Sequence, residues 1–125
     1  MTVTADTRCD VLLVEDEELI SMLMEDLLEE SGCRVTATAG QLDEALSMAR
    51  SGDFDLAFID LNLRGTPAWP LAELLRERGI PFAFVTGYGA ADTRTYADVP
   101  VLQKPFTSQH LAAIVDRLRG RQGAA

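Results

Sequence analysis

Three carboxylates, one hydroxyl and one ammonium stand where short apolar runs stop. The run at 11–14 ends in Glu15 and Asp16, the run at 56–59 in Asp60 and the run at 82–85 in Thr86; the run at 99–102 leads to Lys104 and Pro105. Gathered in one place, the carboxylates repel, since two like charges about 4 Å apart cost roughly 4 kcal/mol at an effective dielectric near ~20. A divalent cation relieves that cost. Oxygen ligands without histidine or cysteine select a hard ion, magnesium or manganese, over zinc. An aspartate beside such an ion is a competent nucleophile toward a phosphoryl group, because that transfer asks mainly for positioning and charge neutralisation. Thr86 can donate a hydrogen bond to a phosphoryl oxygen, and Lys104 can neutralise another.

These groups meet only if their strands lie side by side and point the same way. Residues 17–31 carry Ile20, Leu23, Met24, Leu27 and Leu28 at helical spacing, and Gly32 ends the helix. Residues 34–39 alternate as a second strand. Leu42, Ala45, Leu46 and Ala49 mark a second helix closed by Gly52; Leu71, Leu74 and Leu75 mark a third, closed by Gly79 with Pro81 beyond. The last helix carries Leu111, Ile114, Val115 and Leu118 on one face, with Thr107 as N-cap and a Phe106–Leu111 staple across its start. Residues 87–98 are the least periodic, so a fourth helix there is expected to be short or frayed, and fraying is also expected after Arg119. Five strands alternating with helices predict an α/β domain with a parallel sheet, whose apolar central strands are covered on both faces. Ligands of such sheets sit at the carboxyl ends of the strands, where the strand order reverses.

The rest of the composition narrows the field. A chain of 125 residues with 47% hydrophobic and 25% charged residues suits one packed domain, residues 1–125 with a core of about 9–119. Its net charge of −9 argues against a nucleic-acid or membrane-surface partner. No apolar run approaches the roughly 18 residues of a membrane span, and no secretory signal is expected from the first residues, so a cytoplasmic location is expected. Cys9 and Cys33 lie far apart in the chain and in no metal-like spacing, and are read as two reduced thiols. His110, the single histidine, is read as a polar residue in the first turn of the last helix. Trp69 and Tyr96 are read as packing or partner-surface residues.

The motifs VLLVEDE, FIDLNL, FVTGYG and QKPF, in this order and spacing, resemble the receiver domain of bacterial two-component response regulators, from Val11 to about Leu118. The resemblance implies a flavodoxin-like fold, a three-layer (βα)5 sandwich with sheet order 2-1-3-4-5. It implies that Asp60 accepts a phosphoryl group from a sensor histidine kinase or a histidine phosphotransfer protein. Asp16, Asp60 and the backbone carbonyl of Asn62 would ligate Mg²⁺ or Mn²⁺, with Glu15 acting mainly through a metal-bound water. Thr86 would be the switch hydroxyl, Lys104 would bridge to the phosphoryl group, and the Lys104–Pro105 bond would be cis. The segment Pro81 to Gly89 resembles the subgroup named for a Phe-Ala-Thr-Gly-Tyr motif, with Val85 in place of that alanine. Two positions depart from the commoner pattern: Val101 replaces an aromatic residue on the fifth strand, and Arg64 replaces a proline. With Val101 unable to serve as the coupled aromatic, Tyr88 is a candidate to share the switch and to slow hydrolysis of the acyl phosphate.

A receiver filling the chain would act by contact with a downstream protein, as a monomer or weak homodimer, and would be no enzyme beyond its own phosphorylation and dephosphorylation. Two other readings compete. An aspartyl-phosphate phosphatase also uses a strand-end aspartate and magnesium, but needs a second carboxylate two residues later, where Asn62 stands. A receiver fold that only binds, and is never phosphorylated, would have no use for the combination of Glu15, Asp16, Asp60, Thr86 and Lys104.

Overall fold

Successive residues of the central strands are buried on opposite faces, and that alternation of direction builds two cores on one sheet. The computed structural model describes residues 9–87 and 94–123. The elements are β1 (Asp10–Val14), α1 (Glu18–Glu30), β2 (Arg34–Ala39), α2 (Leu42–Ser51), β3 (Leu56–Asp60), β4 (Asn62–Leu63), β5 (Thr66–Pro67), α3 (Trp69–Arg78), β6 (Phe82–Thr86), β7 (Val101–Gln103) and α4 (Ser108–Gly123). Strands β2-β1-β3-β6-β7 form a sheet in which every pairing is parallel. With the two-residue strands β4 and β5 set aside, this is the expected 2-1-3-4-5 order. The chain leaves β1 for β2 on one side and returns to β3 on the other, so the order reverses between β1 and β3.

Val11 and Leu13, Leu56 and Phe58, and Ala83 and Val85 join Met24, Leu28, Leu111, Val115 and Leu118 of α1 and α4 in one core. Leu12 and Val14, Ala57 and Ile59, and Phe82 and Phe84 face the opposite core with Ala45, Ala49, Leu71, Ala72 and Leu75 of α2 and α3. Edge strand β2 alternates exposed and half-buried residues until Ala39, as its sequence predicts.

The helix ends follow local chemistry. Gly32 and Gly79 both adopt positive φ, 87° and 71°. After α1, the Gly32 N–H donates to Glu29 O and the Cys33 N–H to Leu28 O; after α3, the Gly79 N–H donates to Arg76 O and the Ile80 N–H to Leu75 O. Both helices thus close in the Schellman pattern. At the start of α4, Thr107 Oγ1 accepts the His110 N–H at 3.0 Å, and Phe106 packs against the core that contains Leu111.

Two expectations are corrected. Strand β7 begins at Val101 rather than at position 99, because the Val99 N–H donates to Tyr96 O at 2.9 Å and Pro100 has no N–H to give. Helix α4 continues past Arg119 to Gly123. Extending a formed helix needs no new nucleus, and Gly120 lowers propensity by only about 1 kcal/mol. Cys9 and Cys33 are free thiols, as read from the sequence, and although far apart in the chain they are neighbours in space, with Sγ atoms 2.9 Å apart. Of the weakly periodic stretch at 87–98, Arg94–Tyr96 form a single 3₁₀ turn; residues 88–93, which include Tyr88, lie outside the described residues.

Two glycines give opposite expectations for the same substitution. Nothing lies within 4 Å of a Cβ added at Gly79 or at Gly120. Gly79→Ala forces an L side chain into left-handed backbone and should lower stability by about 1 kcal/mol. Gly120→Ala sits in ordinary helix and should raise it by about 0.5–1 kcal/mol. Urea unfolding at unchanged slope measures both.

Candidate functional site

The backbone ladder continues past the strand ends and so fixes the polar residues that follow. The Glu15 N–H donates to Ala39 O at 2.9 Å, the Leu61 N–H to Val85 O at 3.2 Å, and the Lys104 N–H to Thr86 O at 2.7 Å. Glu15, Asp60 and Thr86 are all buried, the only buried polar or charged side chains among the described residues. Glu15, Asp16 and Asp60 each offer a carboxylate oxygen, and these three atoms lie within 4.8 Å of one another. The sequence-predicted cluster therefore assembles at the strand-order reversal.

Lys104 spans the cluster. Its Nζ lies 3.1 Å from Glu15 Oε1, 3.2 Å from Glu17 Oε1 and 3.4 Å from Asp60 Oδ2. Burial disfavours the ammonium, but the Asp60 and Glu15 carboxylates outweigh that and hold its pKa up at about 12. Burial pushes the Glu15 carboxyl from its ordinary 4.5 up to about 7; the Glu17 N–H pulls it back, Asp60 adds to the rise, and Lys104 again opposes it. The Lys104–Pro105 peptide is cis, as the sequence motif implies.

Beyond Asp60 the chain makes a tight antiparallel hairpin, β4 with β5, around Arg64 and Gly65, both at positive φ. The Asn62 N–H donates to Asp60 Oδ1 at 2.9 Å, and the Asn62 side-chain oxygen accepts the Gly65 N–H. Asn62 is thus committed to shaping the turn. The Arg64 N–H donates to Asp16 Oδ2 at 3.0 Å, with its Nε 3.9 Å from the same oxygen. Val101 stands on β7, paired with Phe84 and partly exposed. His110 is exposed. Trp69 stacks on Tyr96 with ring centroids 5.6 Å apart, a packing role as expected.

Sequence reasoning missed two participants. Glu17 reads as an acidic helix start, and it does occupy the N-cap of α1, yet its carboxylate also meets Lys104. Arg64 gave no sign of touching Asp16; the Gly65 beside it was a turn signal that could have located the hairpin.

The donor set fits a hard cation. It is all oxygen, it is anionic, and one lysine faces three carboxylates. Two buried oxygens, Glu15 Oε1 and Thr86 Oγ1, have no hydrogen-bond partner among the described residues, although the Lys104 charge stands close to the former. An orphaned carboxylate oxygen and an orphaned hydroxyl suit a ligand that brings positive charge for the one and an acceptor for the other.

The fold is a parallel α/β domain with an acidic cluster at its carboxyl edge, and comparison with known proteins places it in a family. The response regulator receiver domain model matches residues 11–116, and the chain belongs to that family. The transcriptional regulatory protein CusR of Escherichia coli (strain K12) is 32% identical over 122 residues, covering 92% of this chain and 52% of that protein. The chemotaxis protein CheY of Pseudomonas aeruginosa is 28% identical over 116 residues, covering 86% of this chain and 94% of that protein. The solution structure of SdrG from Sphingomonas melonis Fr1 superposes with a TM-score of 0.82 at 40% identity, covering 90% of this chain and 98% of that one. The chain spans about half the length, or less, of several curated relatives it matches. No described helix is long and apolar enough to cross a membrane.

Removing the ammonium should expose the carboxylate repulsion. Glu15 binds its proton more tightly folded than unfolded, so raising the pH from its ordinary 4.5 through about 7 already removes stability. In Lys104→Ala the repulsion is uncompensated and Glu15 titrates higher still. The variant should lose about 2 kcal/mol near pH 8 and markedly less near pH 5, where Glu15 is protonated in the fold. Urea unfolding across that range reads the difference.

Proposed function

We propose that the chain accepts a phosphoryl group on Asp60 from the phosphohistidine of a sensor histidine kinase or histidine phosphotransfer protein, and that this acceptance switches its contact with a downstream protein. The observation that carries the reading is the buried Asp60 carboxylate, held among Glu15 and Asp16 with Lys104 Nζ at 3.4 Å. Membership of the receiver family supports it.

Mg²⁺ or Mn²⁺ would be held by Asp16 and Asp60, with Glu15 and the Asn62 carbonyl completing the set, and would supply charge neutralisation on the phosphoryl oxygens. The chain's own residues do the rest. An Asp60 oxygen attacks phosphorus, the P–N bond of the donor histidine breaks with its electron pair leaving on the imidazole, and Asp60 becomes an acyl phosphate. Lys104 already contacts the Asp60 carboxylate and can turn to a phosphoryl oxygen. The Thr86 hydroxyl, buried and unpartnered among the described residues, is free to donate to another, and its movement is the switch. Val101 offers no ring to follow that movement, which leaves Tyr88 in that role. Asn62, an amide bound into the hairpin, supplies no general acid, which speaks against a phosphatase acting on other substrates.

Incubation of the full chain with acetyl phosphate and Mg²⁺, read by intact mass and by NMR shift mapping, tests the proposal. Wild type should gain one phosphoryl group, EDTA should prevent the gain, and Asp60→Ala should show none. Thr86→Ala should still gain it but lose most of the shift changes around β7 and α4. Undiminished acceptance by Asp60→Ala, or no acceptance by wild type from either acetyl phosphate or a phosphorylated histidine kinase, would overturn it.

A further inference from the structure

At the sheet edge opposite Asp60, two thiols that no phosphoryl chemistry uses are placed together. Cys9 immediately precedes β1 and Cys33 immediately precedes β2, and the next residues, Asp10 and Arg34, pair across these parallel strands. The Arg34 N–H donates to Cys9 O at 2.8 Å, so the backbones are already bonded at this point. Both side chains enter the core beneath α1 and α4, 2% and 5% exposed, with Sγ atoms 2.9 Å apart. Adjacent strands run about 4.8 Å apart, within the span that a disulfide bridges without backbone movement.

The surroundings divide the pair. Contact with Cys9 and the nearby Arg119 guanidinium lower the Cys33 thiol pKa against the opposing effect of burial; contact with Cys33 and burial raise that of Cys9. Arg119 reaches this corner from α4: a Cβ added at Gly32 would lie 3.5 Å from its Nη1. With the Arg119 guanidinium on the Cys33 side of the pair, Cys33 is the better placed attacking sulfur and Cys9 the resolving one.

We infer that Cys9 and Cys33 form a dithiol modification site, closed by peroxide to an intramolecular disulfide that ties the start of β1 to the turn between α1 and β2. The Cys33 thiolate attacks one oxygen of hydrogen peroxide and breaks the O–O bond, giving a sulfenic acid and a hydroxide that leaves as water with the thiol proton. Cys9 sulfur then attacks the sulfenic sulfur; the S–S bond forms as the S–O bond breaks, and the Cys9 proton leaves with the hydroxyl as a second water. Because both sulfurs are covered, the first step proceeds through brief local opening of this edge and is slow. The site is independent of Asp60 and goes beyond the phosphoryl-acceptor reading.

The test treats the native, full-length chain with hydrogen peroxide, blocks remaining thiols by alkylation, and measures intact mass, linked peptides and thermal unfolding. The expected product has lost about 2 Da and both alkylatable thiols, carries a Cys9–Cys33 linked peptide, and reverts with dithiothreitol. Its Tm should rise by roughly 10 °C, since the bridge constrains the unfolded chain. Cys9→Ser should stop at a sulfenic acid on Cys33, trapped by dimedone. Asp60→Ala should give the same disulfide as wild type, so this outcome is read separately from phosphoryl acceptance. Thiols that stay alkylatable when folded but cross-link when unfolded, or separate sulfinic acids in place of the bridge, would overturn the inference; neither result depends on a cysteine variant folding.

Discussion

A single ammonium holds three carboxylates together, and the strand order exists in the form that lets it. Lys104 follows the edge strand β7, while Asp60 ends β3 and Glu15 follows β1, with β6 lying between. Only a long unbranched side chain crosses that width, and Lys104 arrives 3.1 Å from Glu15 and 3.4 Å from Asp60. The carboxylates in turn keep it charged against its own burial. The arrangement is poised rather than relaxed. Glu15 sits with its pKa near 7, so modest changes in nearby charge alter its protonation. Under the proposed function the cluster must respond to the arrival of one phosphoryl group, and a cluster this close to balance is suited to do so.

Much of this was legible because parallel-sheet physics is regular. The apolar runs of β1, β3 and β6 are buried on both faces, and the residue after each run is set at the carboxyl edge of the sheet by topology alone. Glu15, Asp16, Asp60, Thr86 and Lys104 could be named from their positions at run ends. Contacts that depend on backbone closure were not legible. The hairpin at Arg64 and Gly65 delivers an N–H to Asp16 only through two consecutive positive φ angles. Glu17 served two roles at once, and the helix-start reading hid the other. Cys9 and Cys33 meet only because β1 and β2 pair, a contact that cysteine spacing does not encode. The extension of α4 beyond Arg119 was missed because fraying was expected of a chain end, when an established helix extends without a new nucleus and carries Gly120 at modest cost.

The two edges of the sheet are built from different chemistry. The carboxyl edge gathers charge and leaves two buried oxygens without partners among the described residues, which sacrifices stability for responsiveness. The amino edge closes α1 and α3 with Schellman-bonded helix ends and buries two thiols in mutual contact. Rearrangement therefore belongs to the carboxyl edge, while the two cores between them keep the framework intact.

Trp69 begins α3 directly after the hairpin that contacts Asp16. It meets Phe84 edge-on at 5.7 Å, two residues before Thr86, and lies flat against Tyr96, whose other contacts include the Arg76 guanidinium and the Glu73 carboxylate. It is also the only tryptophan in the chain. Indole emission from this protein consequently comes from one side chain at one address, adjoining both the hairpin and the fourth strand of the main sheet, so the molecule carries a built-in optical probe of that region and needs no attached dye.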